Sequence, residues 1–192
     1  MNICIFASSS NNIDKVYYDD ARKLGELIAQ LGFNIVYGGS ELGLMGEITN
    51  TAQKLGVHVT GVMPEKLYNL GISKGNCADF ILTKGMRERK AKMDELSDAV
   101  IALAGGFGTV EELSEMLVQK QLGYSNKPIV ILNTNNYYGH LIKFFDNAIK
   151  ENFAPELCRK LYFVANTPED AIEYMVNYKI EQVNYLKDKI KV

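Results

Sequence analysis

No cysteine in this chain sits at a spacing that builds a metal site or a redox pair. Cys4, Cys77 and Cys158 are far apart, lack a Cys-x-x-Cys arrangement and are odd in number, which argues against a complete disulfide framework and fits a reducing, cytoplasmic setting. His58 and His140 are the two histidines. With no partner motif they read as structural, and without a His/Cys cluster no metal is expected. No stretch approaches the roughly 18 apolar residues that cross a bilayer, and the opening MNICIFASSS has no basic leader region. The chain is therefore expected to be soluble and unprocessed. Net charge is small as well: 21 basic against 23 acidic residues leave −2. That balance supplies no strong attraction to nucleic-acid backbones or anionic membranes and favours a small-molecule partner. Repeats, low-complexity tracts and Pro/Gly/Ser linkers are missing, so the 192 residues are expected to form a single domain spanning 1–192.

What is present is a rhythm. Short runs apolar on both faces occur at 2–7, 33–38, 57–62, 79–83, 99–104, 128–133 and 161–165, the pattern of strands buried between helical layers. Helical periodicity fills the gaps at 14–31, 43–55, 86–97, 110–122, 137–151 and 168–190. The alternation predicts an α/β fold, a Rossmann-like doubly wound parallel sheet flanked by helices. The last predicted helix is long, ends in charged residues and reads as a packed C-terminal helix with a frayed end.

In such a sheet ligands bind beyond the carboxyl ends of the strands. ALAGGFGTVEEL, residues 102–113, lies in one of those strand-to-helix turns. Gly105, Gly106 and Gly108 are expected to adopt backbone angles closed to other residues and to let N–H groups approach a ligand. Thr109 is expected to cap the following helix, beside unpaired N–H donors and the positive end of the dipole. That combination suits a phosphate. The turn has no G-x-G-x-x-G, and no G-x-x-x-x-G-K-[ST] occurs in the chain, so dinucleotide and P-loop chemistries lose ground. Glu112 has two readings: it closes a capping box with Thr109, or it faces the sugar of a nucleotide held by the turn. Glu111, one position earlier, should point elsewhere.

MRERKAKMDEL, residues 86–96, places Arg89 and Lys90 on the same helical stripe as Met86, Met93 and Leu96. Either the cations snorkel or pair with acids, or they line an anion pocket, a task suited to the planar fork of Arg89. VYGGSELGLMGEI (36–48) and FASSS (6–10) are two further strand ends expected at the same edge, bringing Gly39 and Ser9 towards the cleft.

Together, AGGFGTVEE (104–112) and MRERKAKM (86–93) resemble the paired P-G-G-x-G-T-x-x-E and M-H-x-R-K-x-x-M motifs of the Lonely Guy family, the cytokinin riboside 5'-monophosphate phosphoribohydrolases. Further likeness runs through CIFASSS, YGGSELGLMG, GVMPEKL, SDAVIALAGG and the segment 126–149. The resemblance implies a Rossmann-like homodimer that hydrolyses the N-glycosidic bond of an adenosine-type 5'-monophosphate to free base and ribose 5-phosphate, without a cofactor. It implies Arg89 and Glu112 as the catalytic pair, and Gly105, Gly106, Gly108 and Thr109 as the phosphate site. Ser9, Gly39, Met86 and Lys90 fall to the rest of the substrate. Four positions depart from the family pattern. Ala104 stands for the motif proline, Arg87 for its histidine, Ser40 for a third glycine and Ala7 for a glycine. Ser40 would displace its loop if that position required a positive φ. The fold also resembles molybdenum-cofactor carriers, so the alternative is a non-catalytic binder of a phosphorylated ligand such as a nucleotide or molybdopterin. The lysine decarboxylase label sometimes attached to the family calls for a pyridoxal-phosphate lysine, which no motif here supplies.

Overall fold

A computed structural model describes residues 1–73 and 75–180. Seven strands make one sheet: β1 (Asn2–Phe6), β2 (Asn34–Tyr37), β3 (Val59–Pro64), β4 (Asp79–Thr83), β5 (Ala99–Ala102), β6 (Ile129–Leu132) and β7 (Phe163–Ala165). Their order is β4-β3-β2-β1-β5-β6-β7, and every neighbouring pair is parallel. All seven coincide with the apolar runs, with ends shifted by three residues at most, because a strand covered on both faces leaves a continuous apolar run.

Alternate side chains of the central strands feed two cores. Ile3, Ile5, Ile35 and Ile101 pack under α1 (Lys15–Gln30) and α2 (Gly43–Lys54), which are joined by α7 (Pro168–Val176). Cys4, Phe6, Val36, Val62 and Val100 pack under α4 (Met86–Glu95), α5 (Phe107–Gln121) and α6 (Gly139–Lys150). Full burial of each such aliphatic side chain stabilises by about 1.5–3 kcal/mol. Helix α1 shows the pattern locally: Ala21, Leu24, Gly25 and Ile28 are its buried positions, one stripe at helical spacing.

Three helical readings are corrected. The helix expected at 110–122 starts at Phe107, because the first turn of a helix needs no N–H partner and accepts the glycine-rich segment. The helix expected at 168–190 ends at Val176, and its expected continuation from 181 lies outside the described residues. The start of α7 follows the side-chain rules closely, with Thr167 and Asp170 closing a capping box and Pro168 in the first turn. A four-residue helix, α3 (Glu65–Tyr68), was not expected from the sequence.

The strand order sets the position of the site. The chain builds outwards from β1 to β4, then crosses back through α4 to β5 on the other side of β1. The switch point therefore falls between β1 and β5, where the loops 7–14 and 103–106 leave the sheet in opposite senses. The first of these loops is fastened to α2: Ser8 O accepts from Leu44 N at 2.9 Å and Met45 N at 3.3 Å, while Ser8 N donates to Ala104 O at 3.1 Å. Gly43 makes that approach possible, since it has φ +59° and an added Cβ would lie 2.6 Å from Ser8 O and 2.7 Å from Ser10 O. Gly43→Ala is expected to lose about 2–4 kcal/mol, through strain and collision with backbone. Gly32→Ala, at φ +64° in open space, should lose only about 1 kcal/mol. Urea unfolding of both variants checks this, and equal losses would contradict the docking of the two loops.

Candidate functional site

Helix α4 delivers Arg89 and Met93 inwards, one helical turn apart. Arg89 is 5 % exposed and Glu112, from the second turn of α5, is 4 % exposed. The guanidinium donates from Nη1 to Glu112 Oε1 at 2.6 Å and from Nε to the β3 carbonyl of Val62 at 3.1 Å. Its other terminal nitrogen lies over Gly38, where a Cβ would stand only 1.9 Å away. Glycine at 38 is thus required by the arginine above it, in contrast to Gly43, which is required by its own backbone.

Of the two readings of Arg89, the pairing with an acid is the one found here. A buried ion pair gains little net stability, because desolvation offsets its Coulomb attraction. Burial raises the Glu112 carboxyl above its ordinary value, and the Arg89 guanidinium pulls back against that rise. The result is a carboxylate held beside a fixed cation and readier to take a proton than a surface glutamate. Perturbed, paired groups of this kind at a sheet switch point mark functional sites. The Cys4 thiol beneath is pushed well up by burial, with Glu112 adding to the rise, so it stays protonated and unreactive.

The glycine turn differs from expectation in its detail. None of Gly105, Gly106 and Gly108 has a positive φ. Space is at stake at one of them: a Cβ on Gly105 would fall 2.1 Å from Thr109 Oγ1, whereas one on Gly106 or Gly108 would meet nothing within 4 Å. The N-cap is Gly106, extended at φ −87° and ψ −152°, so Thr109 is the third residue of α5. Of the two readings of Glu112, the capping box with Thr109 is not formed: Glu112 pairs with Arg89, and Thr109, expected as the cap, is buried and folds back over Gly105. At the open end of α5 the first-turn N–H groups lack intrahelical partners and carry the positive end of the dipole.

The remaining sequence candidates separate. Lys90 is engaged by Glu111 and Glu115 of α5, bracing the two helices on the outer side of the buried pair. Ser9 and Met86 are exposed at the same sheet edge. Gly39, at φ +80°, packs against Met63 and Phe80 rather than against Arg89. Ser40 does not take a left-handed backbone, so the departure there carries no strain; its hydroxyl accepts from Leu42 N at 3.2 Å. Arg87 is exposed, off the Arg89 face. His58 pairs with Asp79 at 2.8 Å on the surface. A cavity of about 570 Å³ lies elsewhere, beside Lys120, Phe163 and Tyr174, while a groove of about 190 Å³ between α4 and α5 touches Glu112 from behind.

Sequence reasoning missed four contributors. The Val62 carbonyl leaves no mark in a sequence. Gly38 was read only as part of the glycine-containing strand end at 36–48. Tyr137 and Tyr138 donate their hydroxyls to Gly105 O and Leu103 O at 2.8 and 2.7 Å. Their position in the turn after β6 was the available signal.

Fold and site define a class: a parallel α/β protein with an anion-ready helix start at the switch point and a buried arginine–glutamate pair beside it. Residues 45–175 match the family model described as "Possible lysine decarboxylase". The chain is 39 % identical over 176 residues to a probable cytokinin riboside 5'-monophosphate phosphoribohydrolase of Oryza sativa subsp. japonica, covering 92 % of this chain and 72 % of the relative. It is 35 % identical over 177 residues to a cytokinin riboside 5'-monophosphate phosphoribohydrolase of Arabidopsis thaliana, covering 92 % and 78 %. The chain belongs to this family, the Lonely Guy family. Among solved structures it is similar to the molybdenum cofactor binding protein of the phototrophic bacterium Rippkaea orientalis, with TM-score 0.70, 25 % identity and coverage of 91 % and 94 %.

If Arg89 and Glu112 are a coupled buried pair, removing one partner strands the other charge. Glu112→Leu alone is expected to cost about 3–5 kcal/mol, and Arg89→Met/Glu112→Leu markedly less than the sum of its single variants. Denaturant titration of the four proteins in this cycle measures the coupling; additive losses would contradict it.

Proposed function

We propose that this chain hydrolyses the N-glycosidic bond of an N6-modified adenosine 5'-monophosphate, releasing the free base and ribose 5-phosphate. The observation that carries the reading is the Arg89–Glu112 pair at 2.6 Å, buried beside the start of α5. The named activity of the curated relatives supports it. In this reading the 5'-phosphate rests on the backbone N–H groups of Gly106, Gly108 and Thr109, where the helix dipole favours an anion, while the Gly105 N–H faces the Tyr138 hydroxyl and Gly105 serves the site by its lack of a side chain. The phosphate then sets the sugar against Glu112. As the bond between C1' and the base nitrogen breaks, its electron pair stays on the base, which takes up a proton. Water forms the new bond to C1' and passes its proton to the Glu112 carboxylate, which relays it to the departing base and ends ionised as it began. Glu112 also offsets the positive charge that develops on the sugar, and Arg89 keeps it oriented. Ser9 and Met86 form the outer walls for the nucleoside, the buried Gly39 shapes the loop behind them against Met63 and Phe80, and Lys90 holds α4 and α5 in register around the site.

A decarboxylase would need a lysine ready to form a Schiff base. Lys90, on the same helix as Arg89, is instead held by two carboxylates. The likeness to the molybdenum cofactor binding protein favours a carrier as the second reading; a carrier would bind without turnover. We further propose that the chain works as a single-domain homodimer in the cytoplasm. Val118, Leu122 and Tyr124 at the end of α5 and Phe144 of α6 are exposed apolar side chains, which a second copy would cover. Sedimentation equilibrium should then give twice the chain mass, and a single-chain mass would overturn the dimer.

Incubation with AMP and with isopentenyladenosine monophosphate should release free base, faster from the latter. Glu112→Gln should lower kcat by at least about 100-fold, the usual contribution of a positioned general base. Glu112 acts as a carboxylate, so activity falls as acid protonates it. Because burial raises this group, the acid limb of kcat/KM should lie above its ordinary value of 4.5. Tight binding without base release would overturn the hydrolase and bring the carrier forward.

A further inference from the structure

Two consecutive tyrosines grip the glycine turn from the β6 side. The hydroxyl of Tyr137 donates to Gly105 O, 32 residues away, and that of Tyr138 to Leu103 O, 35 residues away. The chain brings them there through Asn135 and Asn136, at φ 51° and 56°, a backbone that non-glycine residues adopt at a cost and that clusters at functional positions. Asn133 fixes this turn: its Oδ1 accepts from Tyr138 N at 2.8 Å and its Nδ2 donates to Asn136 Oδ1 at 3.2 Å. The ring of Tyr137 stands edge-on between Tyr17 of α1, at 5.8 Å, and Tyr138, at 4.9 Å. Both hydroxyls are thereby aimed, and both fall on alternate carbonyls of one turn.

The consequence follows from the planarity of the peptide. In a trans peptide the C=O and the next N–H point in opposite directions. A donor held on Gly105 O therefore turns the Gly106 N–H away from the tyrosines, and a donor on Leu103 O does the same for the Ala104 N–H, while the Gly105 N–H between them faces back to the Tyr138 hydroxyl. Gly106 is the N-cap of α5, so its amide plane leads directly into the unpaired N–H groups of the first turn. A segment with three glycines in four residues has wide freedom without such anchors. Donors fixed in advance spare a ligand the cost of ordering them.

We propose that Tyr137 and Tyr138 are positioning residues: their hydroxyls preset the amide planes of the glycine turn so that the Gly106 N–H and the first-turn N–H groups of α5 receive the 5'-phosphate of the substrate. This rests on the phosphate assignment made above.

The test compares the wild type with Tyr137→Phe and Tyr138→Phe. Tyr137 is 45 % exposed and Tyr138 2 % exposed, and thermal melting of both variants accompanies the assay. Isothermal titration with ribose 5-phosphate needs no turnover, and its affinity should fall about fivefold for each hydroxyl removed, the weight of one net hydrogen bond. The ratio of kcat/KM for isopentenyladenosine monophosphate to that for its phosphate-free riboside should fall by the same factor, chiefly through KM. If both substrates lose equally, or ribose 5-phosphate binds the Tyr137 variant as it binds the wild type, the tyrosines are structural and the proposal is overturned. A wild type that binds ribose 5-phosphate but releases no base would sink the hydrolase alone, because the titration still reads the effect of each hydroxyl.

Discussion

A guanidinium buried between two helices and a sheet is the constraint on which the site depends. Arg89 is 5 % exposed, and a cation in that position must find its partners inside the protein. It finds a carboxylate on α5, a carbonyl at the end of β3 and the bare backbone of Gly38. These contacts bind α4 to three other elements and fix the orientation of Glu112. Net stability is not their main product, since a well-packed apolar replacement of a buried pair is commonly as stable. What the arrangement supplies is a carboxylate of known direction in a poorly solvated place, next to a helix start that favours anions.

The loops around this pair are fastened independently. Ser8 couples the end of β1 to α2 and to Ala104, and Tyr137 and Tyr138 fasten the glycine turn to the segment after β6. Lys90, with Glu111 and Glu115, braces α4 against α5 on the solvent side. Flexible sequence therefore lies in a rigid frame. This is how the chain carries three glycines at its candidate phosphate site and still presents one backbone conformation there, the condition for electrostatic preorganisation.

The strands were legible because a parallel sheet covered on both faces writes unbroken apolar runs such as PIVILN, and the helices because their buried stripes recur at three and four residues. Arg89 stood out as a cation on an apolar stripe and Glu112 as the acid that follows the glycine turn, but that the two belong together was implied only by the family resemblance. Other features depend on distant partners. Nothing near Lys90 in sequence reveals that Glu111 and Glu115 stand opposite it, nor that Gly38 is small on account of an arginine 51 positions later. The start of α5 was misplaced by three residues because glycines read as turn, although a first helical turn tolerates them. The length of the last helix was overestimated from periodicity that continues past Val176, where the helix stops at Asn177.

The central claim is that the start of α5 and the Arg89–Glu112 pair form one site, with the phosphate on the first and the glycosidic bond at the second. The most direct measurement is a crystal structure of Glu112→Gln soaked with isopentenyladenosine monophosphate. If the claim holds, the phosphate lies within hydrogen-bonding distance of the backbone N–H groups of residues 106–109, and C1' faces the side chain at 112. A phosphate bound elsewhere, or a nucleotide whose C1' lies a sugar's length or more from residue 112, would contradict it.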